Sequence, residues 1–187
     1  MATYIHTIQI INDSVVEPVS RTDIKDWLRV KYDTDDNLID SLISSARGYI
    51  EKATGLALVN RTYEVMVQTI SGQTSTFVVD LPYGPLLNIV EVYFKNGINS
   101  YDLLTNNDSY EVIGGKLWLY SSGVFKVKYN SGYSSIPDDL RNDIMTLVGW
   151  MYENRGKKMN ADSVNKGISQ YPFWNGLNYH NYKKIVI

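Results

Sequence analysis

Apolar residues recur along the chain with two different periods, and the change of period divides it. Near the start the spacing is helical. Ile24, Trp27 and Leu28 fall at i, i+3 and i+4, which predicts a short helix with one apolar face. Ser20 and Asp23 stand at its beginning as an N-cap and an acidic third residue, close to a capping box. Thr34 begins a second helix, with Asp35 and Asp36 in its first turn, where carboxylates favour the positive end of the macrodipole. Leu38, Ile39, Leu42, Ile43, Ala46, Tyr49, Ile50 and Ala53 follow at helical spacing, and Gly55 supplies a stop. At 1.5 Å per residue this helix is roughly 30 Å long.

From Arg61 the period becomes two. Tyr63, Val65 and Val67, then Phe77, Val79 and Leu81, then Val90, Val92 and Phe94 each alternate with their neighbours, as strands with one buried face do. Residues 116–120 and 124–129 read as two more strands, and Asn96-Gly97 and Gly114-Gly115 as hairpin turns, giving an antiparallel unit of five or six strands. Pro137 then opens a third helix at its first position, followed by Asp138 and Asp139. Leu140, Ile144, Leu147, Val148 and Met151 form its stripe, and Gly156 ends it. The expected fold class is α+β: a small helical core of three main helices, with an antiparallel β-unit inserted between the second and third. The boundaries drawn from the pattern are 18–60 and 134–156 for the helical core and 61–133 for the insertion, within one domain of residues 1–156. Residues 157–187 are polar in their first half and aromatic in their second, with Lys157, Lys158, Lys166, Lys183 and Lys184 facing only Asp162. They read as an extended C-terminal arm that orders against something else.

Composition narrows the function more than it identifies it. The 187 residues are 44% apolar and 20% charged, ordinary for a soluble globular chain long enough to bury a core without staples. A formal net charge of -2 offers no global attraction to nucleic acid or anionic membrane. With 0 cysteines there is neither a disulfide framework nor a thiolate ligand or nucleophile, which suits a reducing cytoplasm. The N-terminus alternates apolar and polar residues instead of carrying a basic region before a long apolar run, so no secretory signal is expected. No apolar stretch approaches the roughly 20 residues that span a bilayer, and no membrane partner is expected.

Candidate chemistry is sparse. The 2 histidines, His6 and His180, have no Ser, Asp or Glu in a catalytic spacing, and read as solvated or interface residues. The acidic turn Asp33-Thr34-Asp35-Asp36-Asn37 starts like a calcium loop, but Leu38 and Ser44 stand where the sharp-turn glycine and bidentate glutamate would be. Gly115-Lys116 lacks the earlier glycine and the following hydroxyl of a phosphate loop. Catalytic, metal and cofactor residues are therefore expected to be none. The 15 Tyr and 4 Trp point instead to protein interfaces, because these side chains bury much area at small entropic cost. The candidate interface residues are Trp150, Tyr152 and Arg155 at the end of the third helix, and Phe173, Trp174, Tyr179, Tyr182, Lys183 and Lys184 in the arm. Trp150 lies off the apolar stripe, so it either widens the core face or meets a neighbour.

Three stretches together carry a family resemblance: EPVSRTDIKDWLRVKYDTDDNLIDSLISSARGYIEKATGLAL, LPYGPLLNIVEVYF and VKYNSGYSSIPDDLRNDIMTLVGWMYENRG, in that order over residues 17–156. They resemble the head-tail connector (adaptor) proteins of tailed bacteriophages. The resemblance implies a non-enzymatic structural virion protein, made in the host cytoplasm and found at the portal vertex. It also implies a ring homo-oligomer, usually a dodecamer, beneath the portal protein, extending the channel through which DNA passes without sequence-specific binding. The next neck or tail component would bind that ring. The alternative from the residues is a β-rich tail or baseplate module that recognises a receptor or glycan through exposed Trp118 and Tyr120.

Overall fold

The computed structural model describes residues 2–13, 16–70, 76–106, 108–155 and 182. The chain divides into two compact units, one of Met1–Val16 with Leu56–Ser134 and one of Glu17–Gly55 with Ser135–Ile187.

The first unit is all β. Its eight strands, among the described residues, are β1 (Ala2–Asp13), β2 (Arg61–Ile70), β3 (Phe77–Val79), β4 (Leu86–Lys95), β5 (Tyr101–Leu103), β6 (Tyr110–Ile113), β7 (Lys116–Leu119) and β8 (Gly123–Ser131). They pair antiparallel in a five-stranded sheet of order β1-β2-β8-β4-β5 and a three-stranded sheet of order β3-β7-β6. Alternation gives each strand a buried face. Tyr63, Val65 and Val67 of β2 and Phe125, Val127 and Tyr129 of β8 meet Phe77, Val79, Leu117 and Leu119 of the smaller sheet in one core. The Tyr63 ring stacks on Tyr83 at 5.1 Å and on Tyr129 at 5.6 Å. The Tyr129 hydroxyl donates to the Pro82 carbonyl at 2.7 Å, and burial pushes its ionisation well above the usual phenol range. Gly114 and Gly115, with φ of 59° and 74°, close the β6–β7 hairpin as the sequence predicts, because a two-residue turn of this hand needs positive φ at both positions.

Three features differ from the pattern reading. β4 is bulged against β8 between Leu86 and Asn88 and between Ile89 and Glu91, so the face changes phase. Ile89 packs on the core and Val90, expected to align with Val92 and Phe94, is exposed. The β-unit also begins at Leu56 instead of Arg61, since Ala57 is buried in its core and donates its N–H to the Gly84 carbonyl at 2.8 Å. Finally β1, β5 and β6 bring the strand number above five or six; β5 and β6 span only 3 and 4 residues, too short for alternation to register.

The second unit holds α1 (Arg21–Leu28), α2 (Asp36–Thr54) and α3 (Asp138–Glu153), with α3 packed on both others. At α1 the capping box is complete: the Ser20 hydroxyl accepts from the Asp23 N–H at 3.1 Å, and the Asp23 carboxylate accepts from the Ser20 N–H at 3.2 Å. Ile24 of α1, Ile39, Ile43, Ala46 and Ile50 of α2, and Leu140, Ile144, Leu147 and Val148 of α3 are buried. Gly55 ends α2 with φ of 72°. Trp27, expected on the buried face of α1, is 55% exposed. α2 starts at Asp36, two residues later than expected, with Asp35 as an N-cap whose side chain makes no capping bond. Pro137 is the N-cap of α3 and not its first residue, and Asn154 is the C-cap, while Gly156 lies outside the described residues.

Candidate assembly interface

The acidic turn before α2 is spent on ion pairs. Lys25 donates from Nζ to Asp33 at 2.6 Å and to Asp36 at 2.8 Å. Arg21 reaches Asp36 at 2.9 Å through Nη1 and Asp40 at 2.8 Å through Nε. Opposite charges at these distances favour the ionised forms of Lys25, Arg21 and Asp36. Asp33 and then Asp36 raise the Lys25 ammonium above its usual range, Asp40 leads in raising the Arg21 guanidinium, and Lys25 leads in holding the Asp36 carboxyl low. Further along, Arg47 pairs with Glu17 at 2.7 Å and with the buried Glu51 at 3.0 Å. These carboxylates are neutralised by the unit's own cations. Among the described residues no group of three or more His, Asp or Glu side chains is placed to hold a metal ion.

The last turn of α3 is tied to the same turn. Tyr152, buried, donates its hydroxyl to Asp35 Oδ2 and lies 3.2 Å from the Tyr32 hydroxyl. The Arg155 guanidinium stacks over the Tyr152 ring at 4.0 Å and stands 3.6 Å from Asp35. Asp35, which the phenol serves as donor, pushes the Tyr152 ionisation up to about 12. The structure thus brings Tyr152 and Arg155 together, and adds Tyr32 and Asp35, which periodicity gave no reason to choose. Trp150 is half-buried one turn earlier and its carbonyl accepts from the Asn154 N–H at 3.0 Å. Tyr182 lies elsewhere: its hydroxyl donates to the Asp139 carboxylate at 2.8 and 2.9 Å, at the start of α3, roughly 20 Å along the helix from Tyr152. Phe173, Trp174, Tyr179, Lys183 and Lys184 lie outside the described residues.

α1 and α3 also border an open groove of about 590 Å³ lined by Asp23, Asp26, Trp27, Asp138, Arg141 and Met145 among others. Arg141 crosses it to Asp23 at 2.8 Å. In the β-unit, Trp118 and Tyr120 are half-buried, contrary to the expectation that both are exposed for recognition. The Tyr120 hydroxyl donates to Glu111 at 2.7 Å, because β6 and β7 set the two elements side by side, and the Trp118 indole nitrogen is itself buried. His6 is exposed and its Nε2 bonds Gln68 at 2.7 Å.

Aromatic and ion-paired side chains tie helix ends together here, and the role these groups define is a structural one. The head completion protein family model matches residues 18–167, and the chain belongs to that family. Solved structures share its fold. One, the neck of an empty gene transfer agent (GTA) particle computed with C6 symmetry, has 14% identity and a TM-score of 0.73, with 97% of each chain covered. A chain of the virion of a native GTA particle gives the same identity, coverage and TM-score. The neck of a native GTA particle computed with C12 symmetry has 15% identity, 97% coverage of both chains and a TM-score of 0.65. No curated protein matches the sequence. The protein is a structural component that completes the head and joins it to the tail.

Proposed function

We propose that the protein acts as a ring, with copies joined head to tail around the channel through which DNA leaves the head, and that it carries out no catalysis. The reading rests on membership of the head completion family over residues 18–167, supported by the fold it shares with chains from particle necks computed with C6 and C12 symmetry. A dodecamer seated on the portal protein fits that family best, with the next neck or tail component on its far side. Heterologous contacts that close a ring are each weak alone, so isolated chains stay largely monomeric until concentration or a portal template favours closure. The arm of residues 157–187, with its lysines and aromatics, serves as a docking segment in this scheme.

Negative-stain imaging and native mass spectrometry of the full chain, alone at rising concentration and with portal rings, test the proposal. Closed rings of one defined copy number are expected. A stable dimer at low micromolar concentration that never grows would refute it.

A further inference from the structure

The two ends of the five-stranded sheet are unlike each other, and both are apolar. At one end β1 is exposed over residues 3–12, and in those residues there is no Lys, Arg, Asp, Glu or Pro, the side chains that normally protect an edge. Its Ile5, Ile8 and Ile10 stand opposite Val67, Val65 and Tyr63, so they continue the buried face of β2. They are nevertheless 39%, 42% and 50% exposed. The apolar core of the β-unit therefore runs out onto an uncovered strand, like a permanent interface seen with one partner removed. At the other end β5 pairs with β4 only over Tyr93–Lys95, leaving Leu86–Glu91 as edge. Leu87 and Val90 are 45% exposed each, and Leu103 of β5, opposite Tyr93 further along β4, is 63% exposed.

We infer that the β1 edge of one copy docks on the β4–β5 edge of the next copy. Two different sticky edges at opposite ends of one sheet make a head-to-tail contact, which repeats from copy to copy and closes only as a ring. An isologous pairing would use one edge twice and leave the other bare. The bulges in β1, between Ile5 and Thr7 and between Ile10 and Asn12, and those in β4 interrupt a regular ladder, so the contact is made by side chains. That bars open-ended strand addition while keeping the apolar surface available. The inference rests on the ring reading and names the surfaces that build it.

Two double variants of the full chain test it: Ile5→Lys with Ile8→Lys on β1, and Leu87→Lys with Val90→Lys on β4. All four sites are well exposed, and melting curves verify folding. Each variant alone is expected to lose ring formation, while a mixture of the two, at the concentrations at which wild type closes rings, gives weak one-to-one dimers through the one intact pair of edges. Rings formed by the β1 variant would overturn the inference and assign that edge to the portal, a tail component or the chain's own C-terminal segment. Dimers of the β4 variant alone, with no one-to-one dimer of the two variants in the mixture, would overturn it in favour of β1 pairing with β1. Because the chain has 0 cysteines, a gentler variant gives a second readout. Ile8→Cys with Val90→Cys, bridged by a short bis-maleimide within assembled rings, should produce a covalent ladder that neither single variant gives. Rings without a ladder would overturn the inference. Wild-type chain that never associates under any condition would instead remove the ring reading on which it rests.

Discussion

Tyr152→Phe removes one oxygen from a buried ring and leaves the packing in place, so it isolates what the hydroxyl contributes. That hydroxyl donates to Asp35 and neighbours the Tyr32 hydroxyl at 3.2 Å. Without it the Asp35 carboxylate keeps only Arg155, at 3.6 Å, as its counterpart here. A hydrogen bond to a charged group contributes a net ~1.5–3 kcal/mol, and the partial exposure of Asp35 places this one at the low end, about 1.5–2 kcal/mol. For a chain of this size each kcal/mol shifts the melting temperature by about 2–4 °C, so calorimetry should record a fall of roughly 3–8 °C. The pH dependence follows from the raised phenol: a folded-state value of about 12 against the ordinary 10.0 means the contribution is complete below pH 10.0. It fades as pH rises through about 12, so the gap between variant and wild type should stay flat from neutrality to pH 10.0 and then narrow. Ring formation should be normal in the variant, because the bond lies within one copy. Unchanged melting together with lost assembly would refute the account and make Tyr152 an interface residue.

Gly132→Ala should destabilise by about 2–4 kcal/mol in the same melting assay, from strained backbone plus overpacking. At φ of +125° the added Cβ would stand 2.3 Å from the Val59 carbonyl oxygen and 2.6 Å from its carbon, backbone atoms with little freedom to retreat. Gly48→Ala on α2, where nothing lies within 4 Å of the new atom, should instead stabilise by about 0.5–1 kcal/mol. Asp36, held low by Lys25 and Arg21, adds stability that is present above its ordinary value of 3.8 and lost as pH falls through its lower folded value. Melting temperatures followed from pH 7 to pH 3 should therefore decline less steeply below about pH 4 in Asp36→Asn than in wild type. Trp150→Ala should leave melting nearly intact and weaken assembly if the half-buried indole meets a neighbouring copy; a large loss of stability with normal assembly would place it in the core.

Helix positions and the buried faces of the longer strands were legible because burial imposes its period on sequence. Ser20 and Asp23 form the capping box their spacing announces, Gly55 and the Gly114-Gly115 pair sit where positive φ is needed, and the β2 and β8 stripes fill the core. These misses share a cause: each depends on a partner outside the element whose period was read. Val90 turns outward because β8 imposes a bulge on β4, and alternation within β4 holds no record of that. Asp35 and Asp36 look like capping residues by position, yet Tyr152 and Lys25 claim them from 117 and 11 residues away. Tyr120 looks available until Glu111, across the hairpin, accepts its hydroxyl. The alternating N-terminus was visible as a strand-like segment, but its exposure on both faces was not, since that depends on the smaller sheet leaving β1 uncovered.

The distribution of charge separates two kinds of surface. In the helical unit Arg21, Lys25, Arg47 and Arg141 each meet a carboxylate of the same unit within about 3 Å, so these groups add local order without requiring a partner. Partly exposed pairs of this kind contribute little stability singly, but several fixed in a network hold the turn before α2 in one geometry. In the β-unit Lys128 pairs with Glu91 at 2.8 Å, and Lys126 lies over the Tyr93 and Tyr101 rings at 4.8 and 4.7 Å. The outward face of the central strands is thus occupied as well. Residues 3–12 of β1 carry neither charge nor cation, and they are where unsatisfied apolar surface collects. A monomer with such an edge pays for it in aggregation risk, whereas a subunit that is covered on assembly does not. Assembly should accordingly protect β1 amides from hydrogen exchange far more than those of α2, which the fold already shields; equal protection changes in both would contradict this division of roles.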